Sequence, residues 1–182
     1  ALDFGDMQEA KQFAGSCASA TRGLIGGGAN PSSVNTIDFV NIATLGDGQN
    51  FGDLTVARSQ LGCTSNSVRG IWWNGSPGHS NVLDFATIPS QGDATDFGDL
   101  SAGRTYLNGV SSSTRGVFTV HNSPANSNAL EFITIANTGN SQDFGDQTTG
   151  GVSQEAAASN STRGLFAGGI FPGSTVHDTT EY

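Results

Sequence analysis

Apolar and polar residues alternate with a period of two in several short stretches of this chain. The clearest stretch is Asn81–Ile88, and comparable runs occupy Asn35–Ala43 and Asn128–Ala136. Two shorter β-rich runs, Gln60–Thr64 and Arg69–Trp73, precede Asn81–Ile88. Strict alternation is typical of β-strands with one buried face. The pattern therefore predicts a chain of short strands separated by turns.

These strands belong to a sequence repeat. A motif of the form Asp/Asn-Phe-Gly-Asp, here called the FGD segment, occurs four times with spacings of 47, 46 and 47 residues, and its phenylalanines are Phe4, Phe51, Phe97 and Phe144. An Arg-Gly pair follows each motif after about 16 residues, and its arginines are Arg22, Arg69, Arg115 and Arg163. A fixed period of this length indicates a repeat architecture.

Each repeat has room for four strands. In the second repeat these are the two short runs, the alternating run and, after a turn at Pro89–Gly92, the segment Asp96–Leu100. Four strands in about 47 residues match one blade of a β-propeller, which buries its faces only against neighbouring blades. We expect an all-β, four-repeat propeller in a single domain, residues 1–182, with repeats at approximately 3–49, 50–95, 96–142 and 143–182. The last repeat is incomplete. Pairing of the N- and C-terminal strands would close the ring without an open sheet edge, and the alternatives are a larger ring or a blade completed by a neighbouring chain.

The repeats resemble those of the kelch family. In that family a strand ends in a diglycine, a strand with an aromatic residue follows, and a Trp-led strand and a basic residue complete the unit. The matching positions here are the diglycines Gly26-Gly27 and Gly168-Gly169, the aromatics Phe39, Phe85, Phe132 and Tyr182, the four FGD phenylalanines in place of Trp, and the basic residues Lys11, Arg58 and Arg104. The second and third repeats depart at the diglycine, and Gly151 replaces the basic residue of the fourth. The resemblance implies a propeller with four-stranded blades.

The DFGDL and STRG segments also resemble repeats in virion proteins of marine and cyanobacterial phages. This resemblance implies a tail fibre or another component of the virion surface, and therefore a virion or extracellular location. Its partners would be other virion proteins or copies of the same chain, together with a glycan or protein on the host surface.

Composition narrows the range of partners. Seven Lys and Arg residues stand against 16 Asp and Glu residues, which gives a net charge of −9. Nucleic acids and anionic membranes are bound through basic surfaces, so we expect neither as a partner and no membrane insertion. The two cysteines, Cys17 and Cys63, occupy nearly matching places in adjacent repeats and are predicted to be small buried residues, with a disulfide as the alternative.

The FGD segment itself has a structural and a functional interpretation. Aspartate and glycine favour tight turns, so we predict a corner with the phenylalanine in the core. The arginine of each Arg-Gly pair would bind one of the aspartates, of which the last in each motif are Asp6, Asp53, Asp99 and Asp146. Paired carboxylates in a glycine turn also suit calcium. Ser141–Gly145 resembles the Asp-box of sialidases without its final aromatic residue. We favour the structural role and assign no metal and no cofactor.

The loops after the Arg-Gly strands differ most between repeats and carry all three histidines of the chain. In a propeller they share a face with the connections that bear the basic residues, and variable loops on a rigid scaffold often bind ligands. The predicted ligand-binding residues on this face are Trp73, His79, His121, Asn122, Phe171, His177, Lys11, Arg58 and Arg104. The histidines have unmatched offsets in different repeats, which argues against a shared metal site.

No nucleophile, base and acid occur at a spacing that supports catalysis, so no catalytic residue is assigned. We expect a non-enzymatic structural or binding protein of the virion surface that attaches to a host glycan or protein. One alternative is an intracellular interaction module similar to kelch adaptors. Another is an enzyme resembling kelch-containing oxidases or sialidases, which would need acids, His or Arg around Tyr106 or Tyr182.

Overall fold

The structure is a computed structural model that describes residues 1–120, 127–152, 154–170 and 175–182. Its regular elements are β-strands in four antiparallel sheets. The first sheet contains β1 (Gly15–Ala18), β2 (Arg22–Gly26), β3 (Thr36–Asn41) and β4 (Gln49–Asp53), and the second contains β5 (Gly62–Ser65), β6 (Arg69–Trp73), β7 (Val82–Thr87) and β8 (Thr95–Asp99). The third contains β9 (Gly109–Ser111), β10 (Arg115–Thr119), β11 (Ala129–Thr134) and β12 (Gln142–Asp146), and the fourth contains β13 (Ala156–Ser159), β14 (Gly164–Ala167) and β15 (Thr180–Glu181).

The sheets are the blades of a four-bladed β-propeller. Within each blade the strands pair in chain order as a meander. The first strands β1, β5, β9 and β13 lie side by side in that order around the axis, and the FGD segments form the outer strands of the first three blades. The predicted all-β propeller is confirmed, as are the four strands predicted in the second repeat.

Large side chains between adjacent blades form the core. Trp72, Leu24 and Phe51 belong to the cluster between the first and second blades. Trp73 and Phe118 belong to the cluster between the second and third blades, with ring centroids 4.4 Å apart. Burying each such side chain contributes about 1.5–3 kcal/mol, so the stacking of blades is the main source of stability. This is the physical reason why the unit must repeat.

Glycines at the start of the inner strands make room for the two tryptophans. A Cβ atom at Gly62 would lie 2.3 Å from the Trp73 ring, and one at Gly109 would lie 2.7 Å from it. The Trp72 indole Nε1 donates a hydrogen bond to the Gly15 carbonyl at 3.0 Å. The indoles therefore pack directly on the backbone of the neighbouring inner strand.

Three of the four FGD segments, those of Phe4, Phe51 and Phe97, bond to the turn that precedes the outer strand of the blade that follows them in the chain. The Phe51 carbonyl accepts a hydrogen bond from Gly92 N at 2.9 Å, and the Asp53 carbonyl accepts one from Ala94 N at 2.8 Å. Asp53 N donates to the Asp93 carboxylate at 3.0 Å. The same contacts recur for Phe97 and Asp99 with residues 139–141 and for Phe4 and Asp6 with residues 46–48. The motif is therefore a joint between blades, as well as a corner.

The predicted pairing of the N- and C-terminal strands is wrong for the described residues. Residues 1–6 form no strand there, and β15 is the edge of a three-stranded sheet. Phe4 and Asp6 bond through their carbonyls to Gly46 N and Gly48 N of the first blade. Phe144, on the outer strand of the third blade, is half exposed, whereas its equivalents Phe51 and Phe97 are buried as predicted.

The predicted bond between each Arg-Gly arginine and an FGD aspartate is also wrong. The guanidinium groups stack instead on the aromatic residue of the neighbouring strand at 4.5–4.9 Å, in the pairs Arg22–Phe39, Arg69–Phe85, Arg115–Phe132 and Arg163–Tyr182. Arg69 also donates to the Ile135 carbonyl of the next blade at 2.8 Å. A planar guanidinium can stack on a ring and bond to a carbonyl at once, which explains the choice of arginine.

Candidate functional site

Two of the three basic residues predicted on the ligand-binding face, Lys11 and Arg58, are used inside the protein, and Arg104 is half buried. The Arg58 guanidinium contacts the Asp84 carboxylate at 2.8 Å, with the two side chains 1% and 0% exposed. Lys11 contacts Asp38 at 3.0 Å, and both side chains are buried. Burial lowers the pKa of Arg58 although the charge of Asp84 opposes the shift. These residues hold the connections between blades and are not available to a ligand from solvent.

The two remaining repeats vary this arrangement. Arg104 lies beside Glu131, which accepts hydrogen bonds from Ser101 and Ser141. In the fourth repeat Gly151 occupies the basic position, and Glu181 instead accepts hydrogen bonds from the connection that leads into the blade. The donors are Thr148 N at 2.9 Å, Thr148 Oγ1 at 2.8 Å and Thr149 N at 2.7 Å. One acid in each blade therefore anchors the incoming connection.

Glu181 gives the fourth blade a stability that depends on pH. Burial opposes ionisation, but the hydrogen bonds from Thr149 and Thr148 outweigh it and lower the pKa of Glu181 below 4.5. The carboxylate stabilises the fold fully above its unfolded pKa, and this contribution is lost as pH falls through the folded pKa. The wild type should therefore become less stable between neutral pH and about pH 3. We expect the free energy of unfolding of Glu181→Gln to fall by less over the same range, because glutamine has no charge to lose. Denaturant unfolding at the two pH values measures this difference, and Asp178→Asn, at an exposed position, is the control. If acid lowers the free energy of unfolding equally in the wild type and in Glu181→Gln, the prediction is wrong.

The other predicted binding residues are scattered or lie outside the described residues. Trp73 is fully buried in the core, because the tryptophan ends β6 and points between blades. His79 is exposed on the loop after β6, and His177 is half buried before β15. His121, Asn122 and Phe171 fall among residues that the structure does not describe. Of the predicted binding residues, His79 is therefore accessible on a loop, whereas Trp73, Lys11 and Arg58 are buried and cannot contact a ligand from solvent.

Four other residues converge at the propeller axis, at the end where the connections enter the inner strands. They are Phe13, Gln60, Tyr106 and Gln154, one from each repeat, and each lies just before an inner strand. All four have left-handed backbone conformations, with φ between 58° and 60°. Such values are uncommon for residues other than glycine. We call this group the axial cup.

The axial cup has an aromatic and an amide side. The rings of Phe13 and Tyr106 meet edge to face with centroids 6.4 Å apart, and these residues are 51% and 42% exposed. Gln60 Nε2 donates to the Tyr106 hydroxyl at 2.6 Å. Leu61 and Leu107 line the same cavity, which has a volume of about 520 Å³. The cavity is within the size range of small-molecule sites.

The axial cup is not among the sites predicted from the sequence, because its residues form no recognisable motif along the chain. Gln60 falls at the start of the predicted run Gln60–Thr64, and the sequence suggests Tyr106 only as a residue for the enzyme alternative. The sequence does contain one signal. When the four repeats are aligned, Phe, Gln, Tyr and Gln occupy the same position, whereas nearby positions keep the same glycine or phenylalanine. A position that varies between repeats, just before a strand that they share, is one where the fold does not require a particular side chain.

Comparison with protein-family models and with curated proteins finds no match for this chain.

Other chemistry is limited in the residues that the structure describes. No helix there is long and apolar enough to cross a membrane. The same residues contain no cluster of three or more His, Cys, Asp or Glu side chains that can hold a metal. Cys17 and Cys63 are free thiols on neighbouring inner strands. They pack against the core as predicted, but they are half buried rather than buried. Burial and a hydrogen bond with Cys17 raise the pKa of the Cys63 thiol.

Proposed function

We propose that this chain is a non-enzymatic binding propeller of a virion surface, a kelch-like component such as part of a tail fibre, that attaches to a glycan or protein on the host surface. The observation that carries the proposal is that its buried ionic side chains are paired inside the protein, whereas a separate group of exposed side chains is available to a ligand. Buried ionic groups such as Arg58 and Asp84 are committed to each other and to the connections between blades. The axial cup, by contrast, is exposed and leaves aromatic and amide groups open.

The repeat architecture supports an attachment role. Blades joined through the same FGD contacts and packed through buried tryptophans make a stiff scaffold, on which exposed groups keep fixed positions. The chain has a net charge of −9 and its one lysine is buried, which favours contacts with neutral groups over contacts with anionic polymers. The resemblance of the DFGDL and STRG segments to phage virion repeats is the support for the location.

The experiment that tests this proposal is localisation. We expect an antibody raised against the folded chain to label purified virus particles from the source culture, and we expect the fluorescent chain to bind the surface of host cells. A chain denatured by heat provides the control for nonspecific adhesion. Antigen confined to the cell interior with a stoichiometric protein partner would instead favour an intracellular interaction module, and stoichiometric copper in the purified chain would favour an oxidase.

A further inference from the structure

We propose that the axial cup, defined by Phe13, Gln60, Tyr106 and Gln154, is a binding site for a neutral saccharide. This inference deepens the proposed attachment function and rests on it, since it names the ligand chemistry and the site. The cup differs from the loop positions predicted from the sequence, because its residues immediately precede the inner strands. The chemistry of its lining carries the argument.

The aromatic side of the cup matches the apolar face of a sugar ring. Phe13 and Tyr106 meet edge to face with an interplanar angle of 88°, so their contact uses the edge of one ring and does not stack the two faces together. The two residues remain 51% and 42% exposed. An aromatic face carries partial negative charge and attracts the polarised C–H groups on one face of a pyranose.

The amide side of the cup supplies hydrogen bonds of both senses. Gln154 is exposed, and among the described residues its side-chain amide has no partner. Gln60 Nε2 donates one N–H to the Tyr106 hydroxyl oxygen at 2.6 Å. This hydrogen bond orients the phenol, and the O–H of Tyr106 remains free to donate to a ligand. Amide and phenol groups can donate to and accept from sugar hydroxyls. A purely apolar ligand would leave them unpaired, at a cost in affinity.

The charge of the lining selects a neutral ligand. The side chains that line the cavity are aromatic, aliphatic or amide groups, and none of them belongs to Asp, Glu, Lys, Arg or His. The chain as a whole carries a net charge of −9. An anionic sugar such as a uronic acid would lose hydration without gaining a cation in the cup. We therefore expect neutral hexoses and N-acetylhexosamines to bind in preference to acidic sugars.

The backbone provides an independent argument. Left-handed conformations at four non-glycine residues each carry a conformational strain that glycine would avoid. The side chains of Tyr106 and Gln154 are exposed, so burial in the core does not explain why residues other than glycine occupy these positions. Side chains retained at strained positions are typical of binding sites.

The test uses the full chain labelled with ¹⁵N and titrated with methyl glycosides of glucose, galactose, mannose and N-acetylglucosamine, and with their disaccharides. We expect at least one neutral saccharide to shift the amide signals of the cup residues saturably. Tyr106→Gly should weaken that binding at least tenfold while its melting temperature stays within about 2–4 °C of the wild type. Tyr106→Asn, which also tolerates the left-handed conformation, is the second variant. Leu45→Ala, at an exposed position between β3 and β4, is the control that should bind as the wild type does.

Three results would overturn the inference. They are the absence of saturable shifts in the cup with every neutral sugar, undiminished binding by both Tyr106 variants, and tighter binding of methyl glucuronide or a proline-rich peptide than of any neutral sugar. These outcomes are separate from failure of the attachment function. If the wild type binds host cells and the Tyr106 variants bind them equally, the cup inference fails alone; if the wild type binds sugars in the cup but neither particles nor cells, the attachment proposal fails alone.

Discussion

Asp84→Asn should lower the free energy of unfolding by about 3–5 kcal/mol, the cost of leaving one charge of a buried ion pair uncompensated. The Arg58 guanidinium lies 2.8 Å from the Asp84 carboxylate, and the two side chains are essentially inaccessible to solvent. Asp84 also accepts hydrogen bonds from Thr55 N at 3.2 Å and Thr55 Oγ1 at 2.6 Å. Removing its charge therefore weakens the connection between the first and second blades. Urea unfolding followed by tryptophan fluorescence measures the change.

Two further variants show whether the buried charge is the cause. Asp143→Asn makes the same chemical change at an exposed strand position in the third blade and should alter stability by less than about 0.5 kcal/mol. The double variant Arg58→Met with Asp84→Leu removes both charges and should recover more than half of the loss. A double variant no more stable than Asp84→Asn would show that packing and the Thr55 bonds, rather than the unpaired charge, account for the effect.

Gly98→Ala should separate the second and third blades and cost about 3 kcal/mol or more. Gly98 has φ of 144°, and a Cβ atom there would lie 2.4 Å from the Gly139 carbonyl oxygen. Backbone cannot move aside as a flexible side chain can, so the FGD joint must open or the strand must shift. The carbonyl of Phe97 would then lose its hydrogen bond from Gly139 N, which is 2.7 Å long. Thermal and urea unfolding measure the loss.

Gly145→Ala is the matched control for this prediction. Gly145 occupies the same motif position in the third blade with φ of 134°. Apart from its two chain neighbours, no described residue has an atom within 4 Å of the place that a Cβ atom would take. The substitution should therefore cost only the backbone strain, of order 1 kcal/mol. Equal losses in the two variants would mean that the conformation alone, and not the contact with the next blade, requires glycine at this position.

The strands were predictable because their signals are local. The alternation in Asn81–Ile88 yields β7, and the run Arg69–Trp73 yields β6 with the same limits. The period of the FGD segments predicts stacked blades, since one blade cannot bury both faces. These conclusions depend only on residues close together in the chain and on their repetition.

The partners of charged side chains were not predictable in the same way. Arg69 and the aspartates of the FGD segment recur with one period, which favours pairing, yet Arg69 stacks on Phe85 because that ring lies on the adjacent strand. Lys11 and Arg58 resemble ligand-binding groups in the sequence, but they point inwards to Asp38 and Asp84. Repetition shows which residues are equivalent, but it does not show which residue each of them faces.

The all-β class, the repeat and the strands of the second blade follow from the amino-acid sequence, because hydrophobic alternation and turn chemistry act over a few residues. Which side chains are buried between blades, and which meet at the axis, depends on how the blades pack. Phe13 and Tyr106 lie in the first and third repeats, yet their ring centroids are 6.4 Å apart. That proximity arises from the rotation of successive blades around one axis, a geometric relation that no local pattern contains.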